Sequence, residues 1–265
     1  RDCAKKEIPF VILFSAGYAE MGEEGRKEQE ELRRFVRGAG IRVVGPNCIG
    51  IVNAHDHVAT SFTSGLEIDA LIPGAIGLIT QSGGVGNCVL TRTYDRAIGL
   101  SHFISSGNEL DLEVSDFLEY FLDDDRTRSI ALALEDLKEP LKFRQAADRA
   151  LKAGKPIVAL KAGRSEKGRQ AAASHTGAMS GADAMYEGLF RQKGISRVSD
   201  VDELFEVAHL FARYRPPKGN RLAILSTSGG SGALLADLAS DQRLSLPPPS
   251  ARTAERLRDV TPAVA

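Results

Sequence analysis

The chain has 265 residues, 43% of them apolar, which is enough for one large or two ordinary domains with real cores. Its 34 basic residues nearly cancel its 35 acidic ones, so charge alone excludes nucleic acid and an anionic membrane surface as expected partners. No run of about 18 apolar residues and no signal-type segment is present, and three scattered cysteines (Cys3, Cys48, Cys88) form neither a disulfide framework nor a CxxC metal pattern. A reducing cytoplasm is the expected compartment.

In chain order, short β-rich apolar runs alternate with amphipathic helical patterns: FVILFSAG, IRVVGPN, AIGLITQSG, GLSHFISSG, SIALALED, KPIVALKAG and RLAILSTSGG. Nearly continuous apolar strands separated by helices predict parallel strands buried on both faces by βαβ crossovers, hence a doubly wound α/β class. Most of these runs end in Gly or Ser. Ligands of open α/β sheets bind at the carboxyl ends of strands, so function is expected in those loops.

Two joints interrupt the alternation, SFTSGLEIDALIPGA (61–75) and YRPPKGN (214–220). They divide the chain into 1–72, 73–215 and 216–265. The first and last parts are expected to be incomplete domains, and the chain reads as an excised part of a longer polypeptide, since it has no initiator methionine and stops without a natural ending.

The first polar loop is GPNC, with Asn47 and Cys48 between two apolar runs; a free cysteine there is more simply a small buried hydrophobe. His55 and His57 have an H-x-H spacing with only Asp56 as a further ligand, so no metal site is expected. TQSGGVGNCVL (80–90) follows a strand and opens a helix. Ser82 can cap that helix, and Gly83 and Gly84 let backbone N–H groups approach an anion, although a tight turn that needs glycine explains the same letters. Ser106, Gly107 and Asn108 place hydroxyl, amide and backbone donors at the next strand end, or form ordinary turn chemistry. His102 and His209 fall among core-type residues and are expected to be structural.

Glu135 ends the strand SIALAL, where a half-desolvated carboxylate either caps a loop or faces a cation in a site. His175 stands in AAASHTGAMSG, among residues too small to pack a core histidine, with Thr176 and Gly177 beside it as hydrogen-bond donors. Residue type leaves a solvated loop histidine and a functional one equally open. STSGGSG (226–232) repeats the look of the first Gly-rich turn and its ambiguity.

GPNCIGIVN, GLITQSGGVG, ISSGNELDLEVSDFLEYFLDDDRTRSIALALEDLKE and KPIVALKAGRSEKGRQAAASHTGAMSG occur in this order, and together they resemble the NDP-forming acyl-CoA synthetases, relatives of the succinyl-CoA synthetase α subunit. The resemblance covers nearly the whole chain. It implies Rossmann-like and flavodoxin-like domains: the end of a CoA-binding domain in 1–72, a succinyl-CoA ligase-type domain in 73–215, and the start of a second flavodoxin-like domain from 216.

The resemblance also implies roles. His175 of the SHTGA motif is the residue transiently phosphorylated, and Glu135 orients and stabilises it. Ser82, Gly83 and Gly84, with Thr176 and Gly177, hold the phosphate; Ser106, Gly107 and Asn108 line the acyl-phosphate side; Asn47 and Cys48 lie near the CoA thiol arm. The implied reaction forms acyl-CoA from a small carboxylic acid, CoA and ATP, releasing ADP and phosphate. Mg²⁺ is expected with the nucleotide in an ATP-grasp domain or subunit that this sequence lacks, and a homo- or hetero-oligomer is expected.

Two other functions were open to the sequence. Some relatives fuse this scaffold to an acetyltransferase and sense acyl-CoA or nucleotide, but those commonly lack the histidine that this chain keeps. A Rossmann oxidoreductase would need G-x-G-x-x-G after the first strand, which GGVGNC (83–88) does not supply.

Overall fold

A computed structural model describes residues 1–168, 170, 183–214 and 217–260. Arg1–Tyr214 and Arg215–Ala265 form two separate compact units.

The first unit begins with a short helix α1 (Asp2–Lys5), strand β1 (Phe10–Ile12), helix α2 (Glu23–Gly38) and strand β2 (Arg42–Val44). β1 and β2 pair in parallel as a two-stranded sheet. A hairpin follows, β3 (Gly50–Asn53) and β4 (Val58–Ser61). The alternation then proceeds through β5 (Pro73–Thr80), α3 (Gly83–Asp95), β6 (Leu100–Ser105), α4 (Val114–Asp123) and β7 (Ser129–Leu134). It closes with α5 (Pro140–Ala153), β8 (Ile157–Lys161), α6 (Asp183–Lys193), β9 (Ser196–Val198) and α7 (Val201–Arg213).

β3 to β9 form one sheet in the order β4-β3-β6-β5-β7-β8-β9. Its β6-β5-β7-β8-β9 portion is parallel, as the alternating pattern predicts. The edge is not: β3 runs antiparallel to β6, and antiparallel also to β4, to which a tight turn at 54–57 joins it with no crossover helix between them. The boundary expected near 72 therefore falls inside one unit, whose sheet takes two strands from before it.

Alternation along the central strands divides the core into two layers. Ile79, Ile104, Leu132 and Ala159 face α4, α5 and α6, packing on Phe117, Phe121, Phe143 and Phe190. Leu78, Phe103, Ala133 and Val158 face α3 and α7, packing on Val89, Leu204 and Phe205. A strand apolar at every position is buried on both faces, which is why β6 and β7 have no exposed residue. Gly77 lets the Phe121 ring lie against β5, since an added Cβ would meet that ring at 2.6 Å.

Helix starts follow local chemistry. Glu113 and Asp116 form a reciprocal capping box on α4, Pro140 occupies the first turn of α5, and the Asp200 carboxylate accepts from Glu203 N at 2.8 Å to cap α7. All five parallel strands of the large sheet point their carboxyl ends to the same edge, so the loops after β5, β6 and β7 are brought side by side.

The second unit contains α8 (Gly229–Asp241) and α9 (Ala251–Arg258). RLAIL, expected as a strand, makes a single bridge, Arg221 to Ser245, among the described residues. Its Leu222 and Leu225 are exposed, and an apolar run without neighbouring strands has no ladder to join.

Candidate functional site

The loops after β2, β5, β6 and β7 converge on one cleft. Asn47, Gly107, Asn108 and Glu135 line it together with Ala19, Gln29, Gln81, Asp136 and Lys138. Four site residues expected from the sequence therefore meet in space, from three separate strand ends.

The β2 and β6 loops touch through their backbones. Asn108 N donates to Pro46 O and Leu110 N to Gly45 O, each at 2.9 Å. Gly107 has φ +60, and a Cβ there would lie 2.1 Å from Pro46 O, so this crossing requires glycine. The side chains continue the contact: Asn47 Nδ2 donates to Asn108 Oδ1 at 3.2 Å. Asn108 Nδ2 in turn donates to Gln29 Oε1 at 3.0 Å and to the Glu20 carboxylate.

Glu20 also accepts from the backbone N–H groups of Gly17 and Tyr18. Burial pushes its carboxyl up, but the hydrogen bonds from Asn108 and these backbone groups outweigh that and hold it below the usual glutamate value. Sequence reasoning missed Glu20 and Gln29, which sit in a charge-rich helical pattern where nothing marks a residue that faces inward.

Gln81 joins the β5 end to the β7 end. Its Oε1 accepts from Glu135 N at 2.6 Å and Asp136 N at 3.0 Å, and its Nε2 donates to Asp136 O at 2.7 Å. The same Nε2 donates to Glu109 Oε2 at 2.9 Å. Asp136 is further fixed by Tyr186, whose hydroxyl donates to Oδ1 at 2.8 Å, while Lys161 lies 4.5 Å from the centre of the Tyr186 ring. Desolvation lowers the Lys161 pKa, against the attraction of Asp136 and Asp183.

Glu135 is half-buried at this turn, at the edge of the cleft. Glu109 is 2% exposed and its carboxyl is pushed up to about 8 by desolvation, against the hydrogen bonds from Ser106 and Gln81 that favour its anion. The only sequence signal for Glu109 was its place in SGNEL beside the loop residues already singled out.

Ser82 caps α3, its hydroxyl accepting from Val85 N at 3.3 Å. Gly83 packs on Ile49, while a Cβ on Gly84 would have only Ser82 Oγ near it, at 4.0 Å, so the N–H groups of the first helical turn remain approachable at this end. These three residues are not among those lining the cleft, although Gln81 beside them is.

Two expected residues face elsewhere. Cys48 is buried in the core, its Sγ 3.5 Å from Leu13 O, and desolvation raises its thiol to about 11, which suits a packed hydrophobe rather than a thiolate. Ser106 is fully buried and donates to Glu109 Oε1 at 2.9 Å, so it supports the loop from behind instead of facing the cleft. His175, Thr176 and Gly177 lie outside the described residues.

The remaining histidines sit away from the cleft. His55 Nε2 lies 2.8 Å from Gly74 O, His57 occupies the hairpin turn, His102 is buried beside Asp124 and Tyr120, and His209 is partly exposed on α7. Among the described residues no cluster of three or more metal-ligating side chains occurs, and no helix is long and apolar enough to cross a membrane.

Residues 73–211, more than half of the chain, match the model of the succinyl-CoA ligase-like flavodoxin domain family. The chain is 39% identical, over its whole length, to the α subunit of an acetate–CoA ligase (ADP-forming) II of Pyrococcus furiosus, and covers 56% of that protein. It is 36% identical to an acetate–CoA ligase (ADP-forming) of Methanocaldococcus jannaschii, again over its whole length, and covers 36% of that protein. A solved structure of the dinucleotide-forming acetyl-coenzyme A synthetase 1 of Ca. Korarchaeum cryptofilum, in complex with phosphate and ADP, superposes with a TM-score of 0.90 at 32% identity. That comparison covers all of this chain and 56% of the solved one. These relatives are named as ligases and a synthetase, and none supports the reading as an acetyltransferase-linked sensor.

Proposed function

Because the chain belongs to the succinyl-CoA ligase-like flavodoxin family, we propose that it is the acyl-transfer part of an ADP-forming acyl-CoA synthetase. The observation that carries this reading is the convergence of Asn47, Gly107, Asn108 and Glu135 on one cleft at the strand ends, in a chain that also holds His175 within SHTGA.

In this reading a carboxylic acid, CoA and ATP become acyl-CoA, ADP and phosphate in three linked transfers. ATP gives its terminal phosphoryl group to a nitrogen of His175 and leaves as ADP. The phosphoryl group then passes to a carboxylate oxygen of the acid, giving acyl phosphate and free imidazole. The CoA sulfur attacks the acyl carbon, the C–O bond breaks, and phosphate leaves with the electron pair. An imidazole nitrogen is nucleophilic near neutral pH, and its N–P bond is reactive enough for onward transfer.

The chain's own residues divide the work. Asn108 and the Gly107 backbone supply hydrogen-bond groups at the acyl-phosphate side, Asn47 beside Asn108 lies toward the CoA thiol arm, and the open first turn of α3 at Ser82, Gly83 and Gly84 receives phosphate oxygens. Thr176 and Gly177 complete the phosphate contacts from the histidine loop. Glu135 accepts the imidazole N–H, which fixes one tautomer and balances the charge that develops on phosphorylation. Cys48 acts only by packing behind Asn47 near the CoA end.

The nucleotide and the Mg²⁺ expected with it belong to an ATP-grasp partner domain or subunit. Among the described residues no group of three or more His, Cys, Asp or Glu side chains is placed to hold a metal. We further propose assembly into a homo- or hetero-oligomer in a reducing cytoplasm, which accords with three free thiols.

The decisive experiment supplies labelled ATP, or acyl phosphate, to the complete enzyme. An acid-labile, alkali-stable phosphate should appear on the wild type and be absent from His175→Ala. Undiminished labelling of that variant overturns the proposal.

A further inference from the structure

Resting on that reading of the cleft, we propose that Gln81 and Glu109 are positioning residues: a buried amide–carboxyl joint that locks the Glu135–Asp136 turn to the Ser106–Glu109 loop and so aims Glu135.

Neither side chain has a part in the transfers described above, yet both are buried polar groups with every neighbour chosen. Gln81 uses both ends of its amide at the turn: Oε1 accepts from Glu135 N and Asp136 N, while Nε2 donates to Asp136 O. The remaining N–H goes to Glu109 Oε2. Reversing the amide would set donors against two N–H groups and an oxygen against two oxygens, so only one orientation satisfies the site.

Glu109 is held just as fully. It sits in the left-handed backbone region at φ 56, and its Oε1 accepts from Ser106 Oγ at 2.9 Å and from Val114 N at 3.2 Å. One carboxyl thus ties together the loop after β6, the first turn of α4 and, through Gln81, the turn after β7. A carboxyl sunk this deep is costly, and an apolar side chain would pack the position more cheaply if packing were its only task. What an apolar group could not do is hold Gln81 in its one working orientation. The backbone that Gln81 fixes is the one that carries Glu135, and a catalytic group displaced by about 1 Å can lose on the order of 10²-fold in rate.

The test uses the full-length enzyme with its nucleotide-binding part, and compares Glu109→Gln, Glu109→Asp and the double variant Gln81→Glu with Glu109→Gln. In Glu109→Gln the new amide can still receive Ser106 and Val114 through its oxygen, but its NH₂ meets the NH₂ of Gln81. Phosphohistidine formation from acyl phosphate should fall by about 10- to 100-fold, with KM for acid and CoA little changed. The double variant replaces that clash with an N–H donated from position 109 to the carboxyl introduced at position 81, which must keep its proton to go on donating to Asp136 O, and should recover part of the loss at a pH low enough to keep that carboxyl neutral. Glu109→Asp, which keeps the carboxyl but is too short to reach Gln81, should also lose rate, and it stands in if Glu109→Gln does not fold.

Near-native melting temperatures establish that each variant is folded. Wild-type rates in folded Glu109→Gln and Glu109→Asp overturn this inference alone. Absence of label in the unaltered enzyme overturns the reading of the cleft, and this inference with it.

Discussion

Ser82 and Ser228 open helices α3 and α8 in the same way: each hydroxyl accepts from the backbone N–H three residues on, at 3.3 Å in both cases. Their surroundings differ. Ser82 follows β5, a strand hydrogen-bonded on both sides within a seven-stranded sheet, whereas the residues before Ser228 make one isolated bridge. A Cβ on Gly83 would press on Ile49, and one on Gly86 on Thr80 and Phe103; the counterpart Gly229 has nothing within 4 Å and Gly232 only an ordinary contact. The residue before Ser82 is Gln81, which ties its own strand end to two others, whereas Thr227 stands before Ser228. A Gly-rich cap is thus written in five or six consecutive residues, but a site at that cap is made by what distant strands bring to it.

The strongest way to break this comparison is at the far end of the Gln81 joint. Glu135→Gln keeps shape and removes charge, and should slow phosphohistidine formation by about 10²-fold or more in the complete enzyme, measured by rapid-quench labelling. A near-normal rate on a folded protein would reduce Glu135 to a strand-end residue, and the first turn would then differ from the second in packing only.

Packing itself is tested by an aligned pair of glycines, each four residues after its capping serine. Gly86→Ala drives a methyl to 2.7 Å from Thr80 Cγ2 and 3.0 Å from the Phe103 ring, and should cost about 1–3 kcal/mol. Gly232→Ala meets only Ser226 Cβ at 3.9 Å, and should stabilise α8 by about 0.5–1 kcal/mol through helix propensity. Denaturant midpoints for the first variant and hydrogen exchange in α8 for the second read the opposite signs. Equal signs would mean that the two turns are equivalent after all.

These contrasts also mark what could be read from the letters. β6 and β7 were legible because strands buried on both faces are apolar at every position, and the Ser82 cap was legible because its partner is three residues away. Asn47 and Asn108 could be singled out one at a time, but not their contact across 61 positions. Gln81 carried no signal and Glu109 only its place beside Ser106–Asn108, since their importance lies in having all their hydrogen bonds satisfied in a buried place, and burial of one polar residue has no period. The antiparallel edge was missed because the hairpin β3–β4 was not recognised as a pair of strands. RLAIL looks like a strand by composition, but a strand is defined by neighbours, and the described residues give it one bridge.

A smaller effect separates cap from site at the serines themselves. Ser82→Ala and Ser228→Ala each remove one accepted N–H at a helix start, and each should cost about 1 kcal/mol of local stability. Ser82→Ala should also lower the rate of phosphohistidine formation, because its neighbour Gln81 lines the cleft. If both variants leave the rate unchanged, the phosphate is seated by backbone N–H groups without the hydroxyl.

The smallest expected effect tests the outermost tie of the first site, Glu20. Its folded pKa lies below the ordinary glutamate value, so the anion is the form that the folded state favours. Such a group contributes stability that is fully present above its unfolded pKa and is lost as pH falls through the depressed folded one. Because Glu20 is partly exposed, water screens the contribution, which should stay below about 1 kcal/mol. Glu20→Gln cannot titrate, and its amide nitrogen would face either the Asn108 amide or the Gly17 and Tyr18 N–H groups, so it should be slightly less stable than wild type near neutral pH. That gap should close as the pH drops below about 4.5, where the wild-type carboxyl takes up its proton. Denaturant midpoints of both proteins between roughly pH 6 and pH 3 measure the gap directly. A gap that does not change with pH would show that Asn108 is held by the shape of its surroundings and not by the Glu20 charge, leaving the buried Gln81–Glu109 joint as the part of the site that depends on a carboxyl.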